Sequence, residues 1–214
     1  MSQSNEWDID NLPNRLTMFR VILIPIIVFC MYSEQVKFDF ARNHSLLLNY
    51  LAAIIFIIAS ITDFFDGHIA RKRKIVTIFG SFLDPIADKF LVISALIMLL
   101  AMNRINALVV LILVLREMYI TALRLLAMEK GISVPVGTLG KWKTATQMVG
   151  IPLLMANDTV LGINMNMLGT YALYLATIFS LYSSVEYSLG LLKKIQKLRL
   201  KKRIEKREKK LQPS

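Results

Sequence analysis

Six apolar stretches joined by short polar linkers govern what this chain can fold into: about 16–32, 45–66, 81–102, 105–128, 142–161 and 165–192. Most approach the ~20 residues that a helix needs to cross the hydrocarbon core of a bilayer. Lipid offers no hydrogen-bond partner to open backbone groups, so each stretch is expected to be a helix. The predicted fold class is therefore all-α integral membrane, with six transmembrane helices. Composition agrees, since 55% of the 214 residues are hydrophobic, 19% are charged, and the mean hydropathy is +0.53. The single cysteine, Cys30, excludes an internal disulfide framework and any zinc site built from several thiolates.

Charge placement sets the expected topology. Six spans put both termini on one side of the membrane, together with the linkers holding Arg71, Lys72, Arg73 and Lys74 and then Lys130, Lys141 and Lys143. The other side receives only Lys37, Arg42 and Arg104. The cation-rich side is expected to be cytoplasmic, which makes this a multi-pass protein of the cell inner (cytoplasmic) membrane. No cleavable signal peptide is expected, because Glu6, Asp8 and Asp10 stand where a basic run would be. The mixed segment from Asn11 to Phe19 is expected to begin as an N-terminal amphipathic interfacial helix, with Trp7 at headgroup level. Pro25 is expected to kink the span after it.

The net charge of +11 does not point to nucleic acid once it is located. Residues 193–210 hold 11 Lys or Arg against Glu205 and Glu208, a net of +9. Such a tail directly after an apolar span suits anionic membrane lipid, at roughly 1 kcal/mol per cation near the surface. The expected organisation is a six-helix membrane domain over residues 1–192 and a basic cytoplasmic tail over 193–214. No room is left for a separate soluble domain, so the chemistry must lie on the helices.

Ionisable groups in apolar spans cost about 2.5 to 3.5 kcal/mol each on insertion scales, and so they mark function unless they pair. Asp63 and Asp66 are three residues apart at the end of the second span, and Asp84 and Asp88 are four apart at the start of the third. Each pair shares one helical face, and the two spans are consecutive, so the four carboxylates can converge. At an effective dielectric of about 20 they would repel by about 4 kcal/mol per contacting pair, which two divalent cations would relieve. Oxygen donors with no thiol among them, and only His68 nearby as an imidazole, favour hard ions such as Mg²⁺ or Mn²⁺. Paired ions of that kind serve phosphoryl displacement. Gly67 and Gly80 allow close approach of a ligand to the backbone, Ala70 keeps the wall small, and Arg71 offers a fork to phosphate.

The run Asp63-x2-Asp66-Gly67-x2-Ala70-Arg71-x8-Gly80-x3-Asp84-x3-Asp88, eight defined positions in 26 residues, resembles without departure the motif of the CDP-alcohol phosphatidyltransferases. The resemblance implies that Asp63, Asp66 and Asp84 bind the metals and that Asp88 is both a general base and a further ligand. It also implies that Gly67, Ala70, Arg71 and Gly80 contact the CDP group, and that the enzyme is a homodimer.

The acceptor alcohol requires other residues. Arg116 and Arg124 in the fourth span, with Lys141 and Lys143 at the start of the fifth, form a cationic set suited to a phosphate monoester rather than to serine or choline. Asn11-Leu-Pro-Asn14-x-Leu-Thr17-x-Phe-Arg20, Arg116-Glu117-x2-Ile120-x2-Leu-Arg124 and Gly140-Lys-x-Lys143-Thr144-x2-Gln147-Met148 resemble the branch of that family whose acceptor is sn-glycerol 3-phosphate. That likeness implies transfer of the phosphatidyl group of CDP-diacylglycerol, giving phosphatidylglycerol phosphate and CMP. No Ser, Cys or His is evidently placed beside the acids as a nucleophile, so a sequential mechanism is expected.

Plainer readings compete. An isolated intramembrane Asp often makes only a helix–helix hydrogen bond, an explanation weakened by four in this spacing. Glu117 reads equally as a neutraliser of a neighbouring arginine, Glu186 is similarly ambiguous, and Lys89 is expected to snorkel to the interface. Lys72, Arg73 and Lys74 read as topology determinants, His44 and His68 as outer-loop and entrance residues, and Cys30 as a lipid-facing or packing residue. Another acceptor (inositol phosphate or serine) and a cation- or proton-coupled transporter are the alternatives. A transporter would place its acids near the midplane within inverted repeats, and no repeat is evident.

Overall fold

A computed structural model describes residues 12–36, 39–73, 78–129, 132, 137–160 and 162–211, with side chains at 18–34, 36, 44–62, 87, 89–129, 132, 137–160, 162–200, 203 and 204. Trp7, Lys37, Lys74 and Lys130 lie outside the described residues. Among the described residues there are six helices: α1 (Leu12–Gln35), α2 (Asp39–Arg73), α3 (Ile78–Ala101), α4 (Ala107–Glu129), α5 (Thr138–Ala156) and α6 (Met165–Leu211). They follow the six apolar stretches in order, and the described residues are all-α apart from one short hairpin. Two segments of the described residues, His44–Thr62 and Met165–Leu200, are long and apolar enough to cross a membrane, and Lys89–Ala101 is a shorter apolar helix.

Local chemistry sets the helix ends. Asn103 sits after α3 with φ 56°, and the Asn103 N–H bonds Leu100 O at 2.9 Å while the Arg104 N–H bonds Leu99 O at 2.9 Å. That pair closes a Schellman motif, with asparagine in the left-handed position. Asn106 then caps α4, its Oδ1 accepting from the Leu108 N–H at 2.8 Å, and Asn164 caps α6 by accepting from the Met167 N–H at 3.1 Å. α2 bends at His44, where φ is −127° and ψ 20°.

Two expectations need correcting. The residues from Leu12 to Phe19 are not a separate interfacial helix, since α1 runs unbroken through them and through Pro25 to Gln35. The fifth helix ends at Ala156 rather than near 161, because Asn157 takes φ 46° and the chain turns into a hairpin. There β1 (Thr159–Val160) pairs antiparallel with β2 (Ile163–Asn164), and Gly162 supplies the φ of 78° that the turn requires. The basic tail is helical through Leu211, the end of the 47-residue α6.

The chain forms two compact units, Met1–Val110 with Ala145–Tyr174, and Leu111–Thr144 with Leu175–Ser214. In the first, α1 packs against α2 and α3 around Ile27, Phe56, Leu91 and Leu99, with Ile151 and Leu173 also buried. One end is tied by Arg104, only 8% exposed. Its guanidinium donates to both oxygens of Glu34 at 2.8 Å, to Asn49 Oδ1 at 3.0 Å, and to the carbonyls of Leu154 and Met155 at 3.1 and 2.7 Å. Burial pushes the Arg104 guanidinium below its ordinary value, while the Glu34 carboxylate opposes that shift. The second unit is held by Ile120, Ala127, Ile132, Tyr187 and Leu191, with Leu123 and Ile195 packed against them.

Candidate functional site

Asp63, Asp66, Gly67, Ala70 and Arg71 lie on the C-terminal part of α2, and Gly80, Asp84 and Asp88 lie on the first half of α3. Backbone helix at both places puts each aspartate pair on one face, as the three- and four-residue spacings require. α2 and α3 also pack against each other. The side chains of these eight residues, and of His68, lie outside the described residues. Among the described residues no group of three or more His, Cys, Asp or Glu is placed to hold a metal ion. A donor set of four carboxylates still fits a hard divalent ion by its chemistry.

The cationic set is described in full, and it divides. Arg116 and Arg124 line one cavity of about 340 Å³ in the second unit, together with Ile120, Gly137, Gly140, Ser183, Glu186, Tyr187, Gly190 and Lys194. Three walls make it. Arg116, Ile120 and Arg124 recur every four residues along α4, Gly137 and Gly140 stand at the start of α5, and Ser183, Tyr187, Gly190 and Lys194 follow one face of α6. The lining carries three cations and one carboxylate, a formal charge of +2.

Arg116 is aimed by a row of serines. Its Nε donates to Ser184 Oγ at 3.1 Å and to Ser180 O at 3.4 Å, and its terminal nitrogens reach Ser183 Oγ at 2.8 Å and Glu117 at 3.3 Å. A guanidinium has five N–H donors, so one on each terminal nitrogen is not engaged by these partners. Arg124 lies over the Tyr187 ring, 5.8 Å from its centroid, a cation–π contact that holds an exposed side chain at the cavity wall.

The two lysines behave differently. Lys143 is 5% exposed, and its Nζ donates to Glu117 at 2.6 Å. Glu117 is thereby the shared anion of Lys143 and Arg116, which supports the neutralising reading of that residue. Lys141 is exposed and is not among the residues lining the cavity. The sequence by itself does not single out Ser183, Ser184 or Lys194, and it leaves Glu186 ambiguous. Their spacing on α6 was the available signal: 183, 187, 190 and 194 share a face in the way that 116, 120 and 124 do.

Comparison with known proteins bears on what such an arrangement serves. The model of a family described as CDP-alcohol phosphatidyltransferase matches residues 10–182. A Bacillus subtilis protein named CDP-diacylglycerol–glycerol-3-phosphate 3-phosphatidyltransferase is 40% identical over 182 residues, covering 83% of this chain and 93% of its own length. Proteins with the same name from Rickettsia bellii and Haemophilus influenzae are 39% and 35% identical, each over 83% of this chain and over 93% and 91% of their own lengths.

Proposed function

This chain belongs to the CDP-alcohol phosphatidyltransferase family, and from that premise we propose that it is a phosphatidylglycerophosphate synthase. It transfers the phosphatidyl group of CDP-diacylglycerol to sn-glycerol 3-phosphate, giving phosphatidylglycerol phosphate and CMP. The observation that carries the choice of acceptor is the cavity lined by Arg116, Arg124 and Lys194. A phosphate monoester brings close to two negative charges at neutral pH, which complements the formal +2 of that lining. Lys143 acts on the acceptor through Glu117 and Arg116, and Lys141 supplies charge at the approach.

Asp63, Asp66, Asp84 and Asp88 would hold two divalent ions, Mg²⁺ or Mn²⁺, which when bound supply neutralisation of charge on the diphosphate. Gly67, Ala70, Arg71 and Gly80 seat the CDP group, with Arg71 offering paired N–H donors to phosphate oxygens. Asp88 takes the proton of the attacking primary hydroxyl, which requires that its carboxylate keep a lone pair free of metal. The hydroxyl oxygen then displaces CMP at the β-phosphorus in a single sequential transfer.

The reading includes six membrane crossings by α1–α6, with both termini and the aspartates on the cytoplasmic face of the inner membrane. A catalytic domain over residues 1–192, a basic tail over 193–214 on anionic lipid, and a homodimer complete it. The deciding experiment offers glycerol 3-phosphate, inositol phosphate and serine in parallel to purified protein with CDP-diacylglycerol and follows CMP. CMP release is expected only with glycerol 3-phosphate, to stop on chelation, and to return with Mg²⁺ or Mn²⁺. Asp88→Asn is expected to lower the rate by about 10²–10⁴-fold with helicity retained. A preference for serine would defeat the assignment.

A further inference from the structure

Glu186 is the one acid among the described residues that line the cavity, and its side chain is exposed. It makes no ion pair with Arg116 or Arg124 and no hydrogen bond to a described residue. Instead its Oε2 would stand 3.0 Å from a Cβ built on Gly137, with Cδ at 3.4 Å and Oε1 at 3.5 Å. The carboxylate tip therefore lies close to the bare backbone at the entry of α5, where an added Cβ would make it shift by a few tenths of an ångström. The positive end of the helix dipole favours it there. Glu186 and the two arginines line one cavity without pairing with each other, which leaves a gap that a ligand anionic at one end and hydrogen-bond donating at the other can bridge.

We propose that Glu186 is a specificity-determining residue that accepts a hydrogen bond from the secondary hydroxyl of the acceptor, while its phosphate is held by Arg116, Arg124 and Lys194. This rests on the proposed acceptor chemistry. An ionised carboxylate is an acceptor only, so it favours a polyol phosphate over one lacking that hydroxyl, and repels a second anionic group in its place. Gly137 is part of the device, because a side chain there would press on the carboxylate and shift it.

The test compares sn-glycerol 3-phosphate with 3-hydroxypropyl phosphate, which keeps the phosphate and the attacking primary hydroxyl but lacks the secondary one. CMP release from CDP-diacylglycerol is followed for the wild-type protein, Glu186→Ala, Glu186→Gln and Gly137→Ala. The wild type is expected to favour glycerol 3-phosphate by about tenfold or more in kcat/KM, as loss of a hydrogen bond to a charged group implies. Glu186→Ala is expected to bring that ratio close to one, Glu186→Gln to keep part of it through the amide oxygen, and Gly137→Ala to lower it. If Glu186 merely caps α5, its variants will lose thermal stability and keep the wild-type ratio, and that result overturns the inference. The two conservative variants carry the measurement should Glu186→Ala fold poorly. A wild-type protein that releases no CMP with glycerol 3-phosphate overturns the acceptor assignment as well, whereas an unchanged ratio in the variants overturns only the role of Glu186.

Discussion

Lys143 and Arg116 show how the same charge can serve two ends. Both are cations in the candidate acceptor set, yet Lys143 is buried against Glu117 while Arg116 keeps donors toward the cavity. Sequence placed them together because helical spacing and charge are all it records; which cation meets an anion depends on how α4 and the start of α5 pack. A clearer case of partner dependence is Asp158. Its carboxyl is held below the usual carboxylate range, first by the Tyr50 hydroxyl at 2.7 Å and then by the Thr159 N–H at 2.6 Å. A group whose folded value is depressed adds stability above its ordinary value of about 3.9 and loses it as the pH falls through the folded value. Tyr50→Phe should therefore destabilise the protein near neutral pH, and the gap to wild type should narrow as melts are taken to more acid pH. A gap constant with pH would mean that Tyr50 contributes packing rather than a bond to ionised Asp158.

Helices carry the next level of information. Caps at Asn106 and Asn164 and the turn at Asn103 are short-range, and their chemistry is readable from the residues alone. Close helix packing is not. Gly169 on α6 faces Gly150 and Leu154 on α5, so that a Cβ on Gly169 would meet Leu154 Cγ at 2.8 Å and the Gly150 carbonyl oxygen at 2.9 Å. Backbone cannot yield as a side-chain tip can, so Gly169→Ala is expected to cost about 1–3 kcal/mol despite the better helix propensity of alanine. Thermal unfolding in detergent measures this, and a variant as stable as the wild type would show that the helices can separate freely. α6 also exceeds what its apolar portion predicts: 47 residues at ~1.5 Å each make ~70 Å, more than twice a hydrocarbon core of ~30 Å. The segment 193–211 is helical because Lys, Arg and Glu are good helix formers and nothing in it breaks the helix already begun.

At the scale of the whole molecule, that continuity changes the meaning of the tail. Lys194 belongs to the basic run by composition and to the lining of the proposed acceptor cavity by position, so the run and the cavity wall share a residue. A chain ending at Leu192 is expected to raise the KM for glycerol 3-phosphate by about tenfold or more, and one ending at Lys197 to leave it near the wild-type value, as loss of one charge-assisted bond implies. Equal KM values for the two truncations would place Lys194 outside acceptor binding. Helical segments, their order, the metal-type carboxylate spacing and the family were all legible in the chain, because hydrophobic periodicity, turn chemistry and a motif within 26 residues are local properties. The proposed acceptor cavity was legible only in part. Its walls come from positions near 116–124, 137–140 and 183–194, and separations of that length are invisible until helices pack. Packing alone chose Glu117 as the partner of Lys143, lined up serines behind Arg116, and set Glu186 against Gly137, because burial and contact are properties of neighbours in space rather than along the chain.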